Sequence, residues 1–173
     1  GRTVVVTVNP TPRIFPVPVS SIQCDSTLTN IQLTSPSTFT SGLVSFKYTA
    51  TGSGAVGDIT GFTASASGLP NNYIIAQQLI NHTDQPQSVT YNITPVSGVS
   101  CNDGPGRTVV VTVNPTPRIF PVLVSSIQCD STTTSITLQS PSTFTSGVVT
   151  FKYTSSAPAG LSGNTASASG LSN

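Results

Sequence analysis

The feature that most limits what this chain can become is a copy. The segment GRTVVVTVNPTPRIFPV stands at residues 1–17 and again, letter for letter, at 106–122, an offset of 105 (106 − 1). Sliding the chain by that offset matches 42 of 49 positions between residues 1–49 and 106–154. Most of the seven differences fall on every second residue. Leu28/Thr133, Asn30/Ser135, Gln32/Thr137 and Thr34/Gln139 change, whereas Thr29, Ile31 and Leu33 recur as Thr134, Ile136 and Leu138. Leu43/Val148 and Ser45/Thr150 change, whereas Val44, Phe46 and Tyr48 recur. A period of two belongs to a β-strand, whose side chains alternate between two faces. One face is held by packing and the other drifts.

Composition agrees with strands. About three residues in ten are Ser or Thr, and Met, Trp and Glu are absent. Fourteen Pro and 14 Gly break the chain at intervals, and no stretch carries the 3.6-residue apolar period of an amphipathic helix. Thr, Val, Ile, Tyr and Phe alternating between such breaks describe half-buried strands. A net charge of +1 without a basic cluster argues against nucleic acid as a partner. No apolar run approaches the ~20 residues of a membrane helix, so no membrane insertion of this segment is expected. The chain opens inside a repeat, without a Met or a signal-type segment, which predicts a window of something longer.

The sharpest boundary is Asn9-Pro10-Thr11-Pro12, repeated at Asn114-Pro115-Thr116-Pro117. Each proline lacks a ladder donor and pushes the residue before it to an extended conformation. The result is a short, semi-rigid spacer, stiffened further by Pro16 and Pro18, of which the second is Leu123 in the copy. Residues 1–9 then read as the last strand of a preceding unit, 10–114 as one complete unit and 115–173 as a partial following one. TASASGL recurs at 63–69 and 165–171, offset by 102 (165 − 63), so three residues have left the Gly/Ser-rich stretch after Tyr153. An exposed hairpin loop tolerates such a loss.

Within the complete unit the pattern predicts strands near 14–22, 27–34, 43–50, 61–67, 74–80, 88–94 and 107–113. About 100 residues of short, regularly spaced strands fit a two-sheet antiparallel sandwich of immunoglobulin-like architecture. Its expected core is Ile31, Leu33, Val44, Phe46, Tyr48, Leu79, Val89, Tyr91, Ile93, Val109 and Val111. Tyr153 falls at a core position in the copy, and Tyr73 is left free.

Three stretches carry a resemblance: FKYTATGSGAVGDITGFTASASG, NHTDQPQSVTYNITPVSGVSC and GPGRTVVVTVNPTP, in that order. They resemble the PKD-like repeats of very large secreted surface proteins of Bacteroidota, including gliding-motility adhesins of the SprB type. The similarity covers residues 10–114 and both flanks. The Trp-Asp-x-Gly-Asp-Gly stretch typical of PKD domains proper is absent, with Phe46-Lys47-Tyr48 in its place. The resemblance implies an all-β array of tandem sandwiches, located outside the cell, on its surface, and exported by a type IX route. It implies work in adhesion or gliding motility, as adhesin or filament stalk.

Catalytic chemistry is not expected. A nucleophile needs a base held against it, and the lone His82 sits in the polar loop NHTDQPQ with Asp84 two residues on. Asp25, Asp58, Asp84, Asp103 and Asp130 are isolated in sequence and form no calcium-loop pattern, although Asp58 and Asp103 are a pair that folding could bring to one metal. The Gly-rich TGSGAVG at residues 51–57 is followed by no helix that could offer its N-terminus to a phosphate. The expectation is therefore no enzyme, no cofactor and no metal site.

Two functions remain. In one, each unit is a spacer whose partners are neighbouring repeats of the same chain. In the other, repeat loops or strand faces bind surface glycans or other cell-surface proteins, and an array multiplies weak contacts. The absence of Trp, and of free Tyr apart from Tyr73, favours the spacer.

Two modifications are open from the residues. Asp-Ser-Thr at 25–27 and 130–132 matches a pattern similar to the O-glycosylation signal of Bacteroidota, which would place sugar on Ser26 and Ser131. An Asx-turn capped by the aspartate explains the same letters equally well. Asn81-His82-Thr83 and Asn92-Ile93-Thr94 fit the N-glycosylation sequon, which a bacterial source sets aside.

Cys24, Cys101 and Cys129 make an odd count, and Cys129 is the copy of Cys24. A Cys24–Cys101 bond inside one unit would close a 77-residue loop (101 − 24), worth ~4.5 kcal/mol in the chain-entropy model. Alternatively Cys24 sits where the chain leaves the sandwich and Cys101 where it arrives. Each would then pair with a cysteine of the adjoining unit. The strand order leans narrowly to the second arrangement.

Overall fold

The computed structural model describes residues 1–15, 20–99, 101–120, 122 and 126–173. The chain is all-β. The main sheet has five strands in the order β1-β9-β8-β3-β5, namely β1 Ser20–Cys24, β9 Arg107–Asn114, β8 Gln87–Val96, β3 Ser45–Gly52 and β5 Ser65–Pro70. Against it lie two short pairs, β2 Ile31–Leu33 with β6 Tyr73–Ile75, and β4 Ile59–Thr60 with β7 Ile80–Asn81. Sheet pairing is antiparallel except for β1, which runs parallel to β9, with Ser20 beside Val110 and Cys24 beside Asn114. The strands from β1 to β9 thus form a PKD/immunoglobulin-like sandwich.

The alternation seen in the sequence is the burial pattern of the fold. Thr29, Ile31, Leu33, Val44, Phe46 and Tyr48 are buried, while Leu28, Asn30, Gln32 and Leu43 are exposed. All eleven expected core residues are buried, joined by Ile14, Ala50, Ile59, Ile75 and Val113 in one cluster. Side chains the size of Phe46 or Leu79 each contribute roughly 1.5–3 kcal/mol when fully removed from water.

At the centre, Tyr48 and Tyr91 meet edge to face with ring centroids 5.8 Å apart. One side chain satisfies both hydroxyls: Gln77 Nε2 donates to Tyr48 Oη at 2.9 Å, and Tyr91 Oη donates to Gln77 Oε1 at 2.8 Å. Burial pushes both phenols above their ordinary pKa.

Several strands differ from the expected bounds. The stretch 74–80 is two strands rather than one, because Thr29 replaces part of the ladder between them. Its hydroxyl donates to Ile75 O at 2.7 Å and accepts from Gln77 N at 2.8 Å. The same side chain breaks 27–34, of which Ile31–Leu33 is strand and Leu28 makes only a bridge to Gln78. Within 14–22, Phe15 N donates to Thr34 O beside β2, whereas Ser20–Cys24 joins β9. The remainder of that expectation, residues 16–19, lies outside the described residues, as do Pro16, Pro18 and Leu123. The strand expected at 61–67 is β5, shifted to Ser65–Pro70. Gly61 turns the chain ahead of it with φ of 87°, and any side chain at Gly61 would strike Gln78 O.

Beyond Asn114 the copy forms β10 Thr150–Thr154 and β11 Ser167–Ser172. Their register repeats β3 with β5: Tyr48 faces Ala66 and Thr49 faces Ser65, as Tyr153 faces Ala168 and Thr154 faces Ser167. The three lost residues therefore fall in the loop joining the two strands. Tyr153 is not core here. It is 38% exposed where Tyr48 is 5%, because among the described residues the β10–β11 hairpin pairs with no further strand. Among the described residues no helix is long and apolar enough to cross a membrane.

Candidate functional site

The chain arrives at one end of the sandwich and leaves at the other. At the proximal end, Gly104 is pressed against Pro12. A Cβ on Gly104 would sit 1.8 Å from Pro12 O, so only glycine fits. At the distal end, β9 finishes at Asn114 beside the loop that joins β7 to β8. That loop is tied to itself by Asn81, which is buried. Its Nδ2 donates to Gln85 O at 2.8 Å and Val113 O at 2.9 Å, and its Oδ1 accepts from Thr83 N at 2.9 Å. Asp25 Oδ1 accepts from Asn81 N at 2.8 Å and fixes the loop to the turn after β1. Every partner of Asn81 is internal, so the sequon there marks a structural asparagine.

The loop so shaped presents Asp84 to the segment beyond Asn114. Arg118 grips the carboxylate with two donors: Nε meets Oδ1 at 2.7 Å and Nη2 meets Oδ2. Two parallel donors to one carboxylate make a directional contact as well as an attractive one. Thr143 N donates to Asp84 O at 2.8 Å, and Thr143 Oγ1 donates to Gln85 Oε1 at 2.5 Å. Thr116 Oγ1 donates to Asp25 Oδ2 at 2.8 Å. The Arg118 guanidinium holds the Asp84 carboxyl below the usual carboxylate range. This is an arrangement for holding two pieces of chain at a fixed angle.

The segment that receives the loop is built the same way in both copies. Asn9 Oδ1 accepts from Thr40 N and Oγ1 at 3.0 Å, as Asn114 Oδ1 does from Thr145. Arg13 N donates to Ser37 Oγ at 2.9 Å, and Arg118 N to Ser142 Oγ at 3.0 Å. Ser35 Oγ and Ser140 Oγ donate to Arg13 O and Arg118 O, each at 2.5 Å. Two stretches of chain, 105 residues apart, share one hydrogen-bond scheme.

The residues considered for chemistry are placed apart. His82 is exposed, with Nε2 2.8 Å from Thr60 Oγ1. A hydroxyl beside an imidazole is half of a nucleophilic pair; among the described residues no hydrogen bond sets a carboxylate on Nδ1. Asp58 accepts from Ala55 N at 2.8 Å in the distal loop after β3, while Asp103 pairs with Lys47 at 2.6 Å near the start of β3. The two carboxylates lie at opposite ends of the sheet. Among the described residues no three His, Cys, Asp or Glu side chains gather as metal ligands would.

Ser26 and Ser131 are exposed in turns with φ of 62° and 60°. Asp130 caps its own turn, Ser131 N donating to its Oδ1 at 2.8 Å. Asp25 instead reaches out to Asn81 and Thr116, so the local cap describes only one copy. Cys24, Cys101 and Cys129 are free and exposed. Cys24 closes β1 beside Asn114, and Cys101 precedes Arg107 at the far end of β9. Eight residues of strand span ~23 Å, against the ~7 Å that disulfide α-carbons allow.

Arg118, next to the Pro-rich spacer, and Ser142 and Thr143, copies of residues between two expected strands, are not among the residues that sequence pattern singles out. A signal was present: only six cations exist in the chain, and one of them, Arg13, recurs as Arg118 inside the longest exact copy.

Fold and site together define a β-sandwich module whose most elaborate polar contact joins it to the next stretch of its own chain. The PKD-like domain family matches residues 21–117, more than half of the chain, and the chain belongs to that family. PKD-like domains are in general structural modules, typically extracellular ones of the repeat or adhesion type. Neither a curated protein nor a solved structure matches the chain.

Proposed function

We propose that this chain is a structural repeat segment of a long extracellular surface adhesin or filament stalk, working in cell-surface adhesion or gliding motility. The observation that carries the reading is the duplicated connection. A linker that serves only as a tether gains nothing from having its hydrogen bonds copied residue for residue. A load-bearing array gains a constant angle and a constant spacing. The units are 1–9, 10–114 and 115–173, with the Asn-Pro-Thr-Pro spacer at each boundary. The absence of Trp and the burial of Tyr48 and Tyr91 support a spacer over a glycan-binding face on the main sheet, since aromatic platforms for sugar need exposed rings.

The same reading puts O-linked sugar on the exposed Ser26 and Ser131. It also pairs Cys24 with the counterpart of Cys101 in the following unit, stapling the junctions covalently. The resemblance to secreted Bacteroidota repeats supplies the type IX route and the cell surface. Antibodies raised against residues 10–114 should label intact cells of the source, and brief external protease should remove the label. Recovery of the protein only from the cytosolic fraction, with intact cells unlabelled, would refute the reading.

A further inference from the structure

The distal junction is occupied; its counterpart at the proximal end is not. Shifted back by 105, the receiving residues Thr116, Arg118, Ser142 and Thr143 become Thr11, Arg13, Ser37 and Thr38. Together with Pro10 and Pro36 these line an open cavity of about 540 Å³. The hydrogen bonds that shape it match those around Arg118: Phe15 N to Thr34 O and Phe120 N to Gln139 O are both 2.8 Å, and Ser37 N to Ser35 Oγ at 3.1 Å answers Ser142 N to Ser140 Oγ at 3.0 Å. The groove has one shape with its occupant and without it, so little ordering cost stands against binding.

We propose that the groove formed by Pro10, Thr11, Arg13, Pro36, Ser37 and Thr38 is a docking site for the Asp84-bearing loop, residues 81–86, of another copy of this unit placed ahead of it. The occupant is specified by what sits in the copied groove. Arg13 takes the carboxylate of that Asp84 in a two-donor grip, Thr38 takes its carbonyl through N–H and the neighbouring glutamine through Oγ1, and Thr11 takes the carboxylate of that copy's Asp25. Arg13 supplies the positive charge that an acidic loop needs. Each unit thus carries a plug at its distal end and a socket at its proximal end, a head-to-tail contact that repeats without closing. The proposal rests on the tandem reading above and gives it a specific contact.

Hydrogen exchange tests it on the 173-residue chain and on the same chain with its own residues 10–105 joined ahead of Gly1. The Thr38 amide, counterpart of the one that bonds Asp84 O, should exchange at least ~10-fold more slowly in the extended chain. Arg13→Ala should abolish that protection there and change nothing in the unextended chain. Asp84→Asn in the added copy should reproduce the loss, which separates docking from any local effect of the arginine. Equal exchange of Thr38 in both chains would overturn the proposal. So would protection gained in the unextended chain on adding a uronate-containing oligosaccharide, which would assign the groove to an outside ligand. A failed exchange test with surface labelling intact removes the socket and leaves the stalk; surface labelling lost with exchange intact does the reverse.

Discussion

Residues 2–8 and 107–113 have the same seven letters, RTVVVTV, and opposite fates. In the second, Val109, Val111 and Val113 are at most 2% exposed, locked between β8 and β1. In the first, Val4, Val6 and Val8 are 79–84% exposed and form no strand. Intrinsic β-propensity is identical by construction, so the whole difference comes from what lies alongside. A strand's ladder donors and its apolar face are both satisfied by neighbours, and without them propensity of this size decides nothing. The same lesson holds for Ile31, which is buried, and its copy Ile136, 65% exposed. This is what the proposed reading requires, in which the repeat folds as a unit and polar side chains make a separate contact at its connection.

Paired substitutions break this comparison most sharply at its two halves. Val111→Asp places an unpartnered charge in the core and should cost more than about 4 kcal/mol; Val6→Asp, its copy, should stay within about 0.5 kcal/mol. Thermal unfolding of both variants checks this, and equal losses would mean that residues 1–9 are held in solution. Gln77→Leu leaves two tyrosine hydroxyls without their shared partner and should cost about 1–3 kcal/mol. Because burial raises the Tyr48 and Tyr91 pKa values in the folded state, their stabilisation is fully present below the unfolded value near 10. It is lost as pH rises through the raised folded values, and a denaturation series from pH 8 upward should show stability falling. Gly104→Ala drives a methyl into Pro12 O and should cost about 1–3 kcal/mol.

Smaller effects separate the connection from the core. Asp84 has a lowered pKa in the folded chain, so its contribution is present above the ordinary carboxylate range and lost as pH falls through the lowered value. The amide resonance of Thr143 should therefore shift in acid while those of Val89 and Val111 stay fixed. The three cysteines have no partner within this chain, and alkylation without reductant should modify Cys24, Cys101 and Cys129 alike. A Cys24–Cys101 crosslink would contradict the placement of those residues at opposite ends of β9.

The core was legible because packing leaves a period of two in a duplicated sequence. Ile31, Leu33 and Val44 stand unchanged between drifting neighbours, and each is buried. Gln77 was not legible, since a polar side chain that bridges two phenols leaves no periodic trace; the period marked Thr29 as inward but not that its hydroxyl substitutes for a ladder bond. The docking contact was hidden for another reason. Asp84 and Arg118 are 34 residues apart, in a loop and a linker, and only the strand order brings them together. Tyr153 was misplaced because pattern alone records which face a residue occupies, and says nothing of whether the opposite sheet is there.

The central claim is that consecutive units are held at one repeated angle by the Asp84 plug in the Arg118 socket. Small-angle scattering from a chain carrying three complete units tests it most directly. A stiff rod is expected, with a cross-section that stays constant along its length, loosening when arginine is replaced by alanine at both internal junctions. A profile of freely tumbling beads, unchanged by those substitutions, would contradict it.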